Sequence, residues 1–295
     1  MKNPKANFDY YYQYILSLSD DKLVAPDYWE IPHDTWFCYL YGDGVKVVYI
    51  KQGKKSVQTK IEHKATPLSA KEKEHRLSQS VSRTKSTIFE LAMCNEFTHF
   101  CTFTQDNNKV ENRFDLAQFR KDLSRYIRNQ NRGRQNKIEY LLIPEQHKNG
   151  AWHMHGLIKG LTDADLREFS LKEKLPNKIR SALKEGKKIY NWEKIAKKFG
   201  YFTASPIDSH IACSKYITKY ITKDIVENNL KSGAHSYFAS QGLKRRELIY
   251  KGDYEKCPID DWDFENEYVK VVFYDNIEDF GSVKSAKADT EKNMS

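Results

Sequence analysis

The run Trp152-His153-Met154-His155-Gly156-Leu157-Ile158 constrains the fold of this chain more than any other stretch. One apolar residue separates its two histidines. On a β-strand, side chains alternate faces with a period of two. His153 and His155 therefore point the same way, about 7 Å apart along the strand, with Met154 on the opposite face. Such a strand has one side that needs an apolar cover and one side whose imidazoles can hold a metal ion between them. The preceding strand, Ile138 to Glu145, is joined to it through His147-Lys148-Asn149-Gly150. A three-residue hairpin loop, Lys148-Asn149-Gly150 with Gly150 left-handed, is a favoured connection. That register sets Glu145 across from His153 on the histidine face, and a slip of one residue turns it away.

The rest of the chain supplies partners for this hairpin. Phe97–Asp106, rich in Thr and Phe, reads as a strand. Asp115 to Asn129 reads as a helix with Asp115 as N-cap and an apolar stripe of Leu116, Phe119, Leu123 and Ile127. Its other face carries Arg120, Lys121, Arg125 and Arg128. Residues 162–199 read as helices starting at Asp163-Ala164-Asp165, and Gly200–Ala204 reads as a short strand. Further strands are expected at Trp36–Tyr41 and Val45–Ile50 around the turn Gly42-Asp43-Gly44, and at Ser236–Ser240 and Tyr268–Tyr274. Phe8–Ile15 reads as a short helix or strand, and residues 67–96 as a helix. These elements divide the chain into an N-terminal accessory region with β-structure (1–66), a main domain (67–250), a C-terminal strand extension (251–280) and a disordered tail (281–295).

Ser205-Pro206-Ile207-Asp208 carries a helix-start signature, Ser205 as N-cap and Pro206 as first helical residue. The helix is predicted to reach about Asn228. Within it, Lys215-Tyr216-Ile217-Thr218-Lys219-Tyr220-Ile221-Thr222-Lys223 reads Tyr-x-x-Lys twice. Tyr216 and Tyr220, four apart, share a helix face, and Lys219 and Lys223 each follow a tyrosine by three. A phenol ionises near about pH 10. Adjacent lysines lower the cost of a phenolate and can neutralise a phosphate, and a bound metal polarises phosphoryl oxygens. Separately, a His-x-His pair can be two unrelated polar residues and a tyrosine pair can be packing. Together they describe a tyrosine that attacks a DNA phosphate, becomes joined to the 5′ end and leaves a free 3′-hydroxyl. The retained bond energy makes the step reversible, and two tyrosines permit two successive transfers.

Charge and cysteine use agree with this and exclude other classes. The net charge is +9. The stretches 109–137 and 172–198, on either side of the His-x-His run, hold most of the basic excess, as a polyanionic partner requires. Five scattered cysteines form no C-x-x-C pair, which excludes a zinc-finger reading and a disulfide framework. No apolar run is long enough to span a membrane, and no phosphate-cradling G-x-x-x-x-G-K-[ST] run is present.

Three motifs in order, Phe100-Cys101-Thr102-Phe103-Thr104-Gln105-Asp106, Trp152-His153-Met154-His155-Gly156 and Tyr216-Ile217-Thr218-Lys219-Tyr220, resemble those of rolling-circle replication initiators of the HUH endonuclease superfamily. The chain is similar to initiators of small single-stranded DNA phages and certain bacterial plasmids, over roughly residues 80–245. The resemblance implies an α+β fold: a central antiparallel sheet with helices packed on it, an HUH/ferredoxin-like or RRM-like core. It implies His153 and His155 as metal ligands with Glu145 as the acidic third, Tyr216 and Tyr220 as nucleophiles, and Lys219 as the motif lysine. Lys223 joins the catalytic set by its spacing, and Arg120, Lys121, Arg125, Arg128 and Lys215 are candidate DNA contacts. The expected cofactor is Mn²⁺ or Mg²⁺; two imidazoles and a carboxylate suit Mn²⁺ better. The expected partner is single-stranded origin DNA at a hairpin, with a host helicase and polymerase, in the cytoplasm of a bacterial host and away from membranes. A relaxase or transposase of the same superfamily is the nearest alternative. Relaxases carry the tyrosine before the histidines, and the transposases are shorter. A non-catalytic DNA-binding copy-number regulator is the alternative from another class.

Overall fold

The structure, a computed structural model, describes residues 34–51, 69–222, 226, 235–266 and 269–281. The expected element at Phe8–Ile15, the side chain of Lys223 and the tail from 282 lie outside the described residues. In chain order the elements are β1 (Thr35–Tyr41), β2 (Gly44–Ile50), α1 (Ala70–Met93), β3 (His99–Gln105), α2 (Leu116–Gln130), β4 (Glu139–Gln146) and β5 (Trp152–Lys159). They continue with β6 (Arg167–Glu168), α3 (Asn177–Lys184), β7 (Tyr190–Asn191), α4 (Glu193–Phe199), β8 (Gly200–Pro206), α5 (His210–Ile217), β9 (Phe238–Ala239), β10 (Glu247–Asp253), β11 (Phe264–Glu265) and β12 (Val269–Tyr274). The fold is α+β with two antiparallel sheets.

Contacts divide the described chain into two units: residues up to Cys94 together with those from Arg245, and Asn95–Lys244. Composition alone draws the lines at 66/67 and 250/251; the contacts draw them at 94/95 and 244/245. In the first unit the strands run β10-β1-β2-β12-β11. The β-rich Trp36–Tyr41 and Val45–Ile50 pair through Gly42, whose positive φ of 60° closes the turn. Helix α1 begins with a capping box: the Ser69 hydroxyl accepts from the Glu72 N–H, and the Glu72 carboxylate accepts from the Ser69 N–H at 2.8 Å.

The second unit carries the sheet β6-β7-β8-β3-β5-β4-β9. Its apolar face is built by alternation: Cys101 and Phe103 from β3, Met154 and Ile158 from β5, Phe202 and Ala204 from β8. Phe119, Leu123 and Ile127 of α2 and Ile195 and Phe199 of α4 cover it. Burying each of the large side chains contributes roughly 1.5–3 kcal/mol. The N-cap of α2 is Asp115, as its sequence requires. Strands β4 and β5 approach closely at Gly156, where a Cβ would meet the Leu141 carbonyl oxygen at 2.1 Å.

Two helix starts differ from expectation. Asp163–Asp165 forms a turn. The Asp165 carboxylate accepts from the Thr162 N–H and hydroxyl at 3.0 and 2.9 Å and from the Arg134 guanidinium, so its acceptors serve a loop. Ser205 and Pro206 end β8, where Pro206 pairs with His99 at the last rung and its missing N–H costs the sheet nothing. The helix starts four residues later, with Ser209 as N-cap to the Ala212 N–H at 3.3 Å. It is also short: α5 ends at Ile217 and tightens into a 3-10 turn over Thr218–Tyr220, where the Thr218 hydroxyl bonds the Lys215 carbonyl at 2.8 Å.

Candidate active site

The site is built on the face of the second sheet opposite α2. Cross-strand pairing sets its side chains in rows. One row runs Tyr201, Thr104, His153, Glu145 across β8, β3, β5 and β4; the next runs Thr203, Thr102, His155, Ile143. Glu145 thus lies directly across from His153, as the hairpin reading requires. The loop has the expected form: His147 and Ala151 close it at 2.8 Å, and Gly150 takes a φ of 84°. The carboxylate reaches diagonally, and Glu145 Oε2 lies 2.6 Å from His155 Nε2.

Each imidazole is held from β3 by the threonine paired with it. Thr104 Oγ1 lies 2.9 Å from His153 Nδ1, and Thr102 Oγ1 lies 3.1 Å from His155 Nδ1. A hydroxyl both donates and accepts, so either tautomer is served. Burial pushes His153 down to about 4, with the nearby rings of His147 and His155 acting in the same direction. Burial also lowers His155, against the pull of Glu145. Both rings are neutral at neutral pH, the form that ligates a metal.

The tyrosine helix lies over this histidine face, on the other side of the sheet from α2 and α4. Tyr220 stacks on His155 with ring centroids 4.5 Å apart and planes 9° apart. The Tyr216 ring meets Phe100 edge-on at 5.5 Å. The two tyrosine hydroxyls are 3.2 Å apart, so the shared face survives the change from α to 3-10 geometry. Lys219 Nζ sits 3.5 Å from the Tyr216 ring centre and 4.9 Å from that of Tyr220. The phenols are electrostatically unequal. Burial opposes ionisation of Tyr216, but hydrogen bonds from Lys219 and Tyr220 and the charges of Lys219 and Lys178 outweigh it, lowering its pKa. Burial raises Tyr220, and its contact with Tyr216 and the charge of Glu145 raise it further. Tyr216 is also the exposed one, at 44%.

The donor chemistry fits a divalent ion: two neutral imidazoles with their Nδ1 atoms anchored, and one carboxylate, all on one face. The shell is not closed as the side chains stand. The two rings lie nearly parallel with centroids 6.5 Å apart. Among the described residues, no three His, Cys, Asp or Glu donors converge tightly enough to enclose an ion. Seating one requires side-chain rotation.

The candidate DNA contacts separate. Arg120, Lys121 and Arg128 line a cleft of ≈ 1620 Å³ beside α2, and Trp152 rather than the histidines faces it. Arg125 lies 3.7 Å from Asp122, and Lys215 is half-buried in the last turn of α5. Sequence reasoning missed Thr102, Thr104, His147 and Lys178. The threonines had a signal, the same period of two on a neighbouring strand. His147, stacked on His153 at 4.2 Å, sits in the hairpin loop. Lys178 comes from α3, and no local pattern marks it.

Residues 98–225 match the family model for the replication-associated protein ORF2 family, so this stretch carries the domain of a replication-associated protein, consistent with a rolling-circle replication initiator. The match spans β3 to the tyrosine motif and lies largely within the second unit. Searches of curated proteins and of solved structures found no match.

Proposed function

We propose that the chain initiates replication by nicking and rejoining single-stranded origin DNA through a covalent 5′-phosphotyrosine, as in rolling-circle replication. The observation that carries this reading is the superposition of two motifs distant in sequence: the Tyr216–Lys219–Tyr220 cluster lies directly over the His153–His155–Glu145 face. A packing role for the tyrosines does not require Tyr216 to be exposed beside a lysine. A purely DNA-binding role does not require neutral, anchored imidazoles beneath them.

In this mechanism Tyr216 attacks first. Its phenolate oxygen forms the bond to phosphorus, the bond to the 3′-oxygen breaks, and that oxygen takes up a proton to become the free 3′-hydroxyl. Lys219 offsets the negative charge on the phenolate and then on the phosphate. Tyr220 keeps its proton and donates to the Tyr216 oxygen, so it is in place for a second transfer. Thr102 and Thr104 hold the imidazoles in register. A divalent ion held by His153, His155 and Glu145 would polarise the phosphoryl oxygens; the ligand set suits Mn²⁺ or Mg²⁺. Helicase and polymerase functions fall to partners from the host cell.

The test is a labelled single-stranded oligonucleotide carrying the origin, incubated with the protein and Mn²⁺ and run under denaturing conditions. A protein–DNA adduct that survives denaturation is expected. Its absence with every divalent metal tried overturns the enzyme reading in favour of a DNA-binding regulator.

A further inference from the structure

We infer that the second unit holds a nucleobase pocket beside the candidate active site, which reads one base of the bound strand next to the scissile phosphate. The inference rests on the proposed strand-transfer reading for its ligand, single-stranded DNA; the pocket itself rests on geometry.

A depression of ≈ 460 Å³ opens where the end of β3, the loop up to Arg113, the β4–β5 hairpin and the start of β8 meet. His153 forms one wall, so the depression is continuous with the histidine face. Tyr201 forms another. It stands in the same cross-strand row as His153, with Thr104 between them, and two strand spacings make that about 10 Å. A tyrosine on a core-forming sheet ordinarily finds a neighbour to cover it, yet Tyr201 is 65% exposed, the most exposed large apolar side chain among the described residues. A flat aromatic face in that position is what an unpaired base stacks on, at roughly 1–3 kcal/mol per base.

The floor of the depression is polar and incompletely satisfied. Gln105 is 8% exposed, and its Oε1 is buried with no hydrogen-bond partner. Arg113 Nε is likewise buried and unpaired. An unmet acceptor and an unmet donor line the same recess, and such groups are costly unless something fills them. A base edge presents donors and acceptors side by side and answers both. The one carboxylate lining the recess, Asp106, already accepts from the Asn108 N–H at 3.0 Å, so it does not leave the recess simply acidic. Stacking on Tyr201, edge contacts to Gln105 and Arg113 and a phosphate at the adjoining histidine face together describe the binding of one nucleotide.

The test uses the full chain and a randomised pool of single-stranded oligonucleotides with Mn²⁺. Both the covalently linked and the non-covalently bound molecules are recovered and sequenced. The wild-type protein is expected to show a base preference at a position flanking the linkage point. Gln105→Leu is expected to lose that preference at this one position, by tenfold or more in enrichment, and to keep the others. Tyr201→Ala, a surface change that leaves the core intact, is expected to weaken recovery of the pool roughly tenfold, and Tyr201→Trp to restore it. Unchanged preferences in Gln105→Leu together with unchanged recovery in Tyr201→Ala overturn the pocket while leaving the nicking reading intact. Loss of all adducts from the wild-type protein overturns nicking instead, and the bound pool then still reports on the pocket. A bound pool without preference that is indifferent to Tyr201 counts against it.

Discussion

Replacing Thr104 by valine removes one atom's function and almost no volume. Its hydroxyl is 2.9 Å from His153 Nδ1, and valine cannot hold that nitrogen. Two magnitudes bracket the effect. A single hydrogen bond is worth about 0.5–1.5 kcal/mol net, which corresponds to roughly 2- to 12-fold in affinity. Partners of metal-ligating histidines typically cost about 10–100-fold when removed, or about 1.4–2.7 kcal/mol. The ranges meet near tenfold, and that is the expected loss of Mn²⁺ affinity for Thr104→Val. Thr102 anchors the other ring through a separate bond, so the double variant should lose about a hundredfold if the two act independently. Free Mn²⁺ in a titration is read directly by electron paramagnetic resonance. Adduct yield against Mn²⁺ concentration gives the functional counterpart. Saturating Mn²⁺ should restore adduct formation in Thr104→Val, because the nucleophile and its lysine are untouched. An affinity equal to wild type, or an activity loss that no Mn²⁺ concentration repairs, refutes the anchoring role.

Further outcomes follow from the same geometry. Tyr216→Phe should cut first-round adduct formation by at least a hundredfold, whereas Tyr220→Phe should still nick and link but fail to pass the strand on, measured by single-turnover adduct assays. Because Tyr216 is held below the ordinary phenol value, largely by Lys219 acting against burial, the nicking rate should rise with a midpoint below about pH 10; Lys219→Gln should move that midpoint upward. Gly156→Ala forces a Cβ to within 2.1 Å of the Leu141 oxygen and should destabilise the second unit by roughly 3 kcal/mol, seen as a lower denaturation midpoint. Asp165 is held at about 2, chiefly by the Arg134 guanidinium, below about 3.9 in an unfolded chain. Its contribution, on the order of 2 kcal/mol, is complete above that unfolded value and lost as pH falls through about 2. Asp165→Asn should flatten the acid limb of a stability profile.

The legible parts of the sequence were those where one short-range rule decides. The period of two placed both histidines, and the loop chemistry of Lys148-Asn149-Gly150 fixed the register that brings in Glu145. The stripe of Phe119, Leu123 and Ile127 marked α2 because each apolar residue falls on one face. Ser205-Pro206 misled because the same pair suits a helix start and a strand end, and local chemistry does not say which. Pairing with His99 across the sheet decides it. The inequality of the two tyrosines was out of reach for a different reason. It depends on Lys178 and on burial against Phe100 and His155, which are sums over distant parts of the chain. The missed threonines show an intermediate case, since their alternation was visible but its target was not.

One small feature at the margin of the second unit bears on how such a chain is assembled. Asn95 and Lys244, 149 residues apart, exchange two hydrogen bonds: the Asn95 amide donates to the Lys244 carbonyl and accepts from the Lys244 N–H, both at 3.0 Å. The stretch between them therefore begins and ends at the same point, like a loop of cord tied at its neck. A segment closed in this way behaves as a cassette, because its excision or transplantation asks the host chain to span almost no distance. The strands that precede and follow it in sequence, β2 and β12, pair with each other and can do so whatever is carried in between.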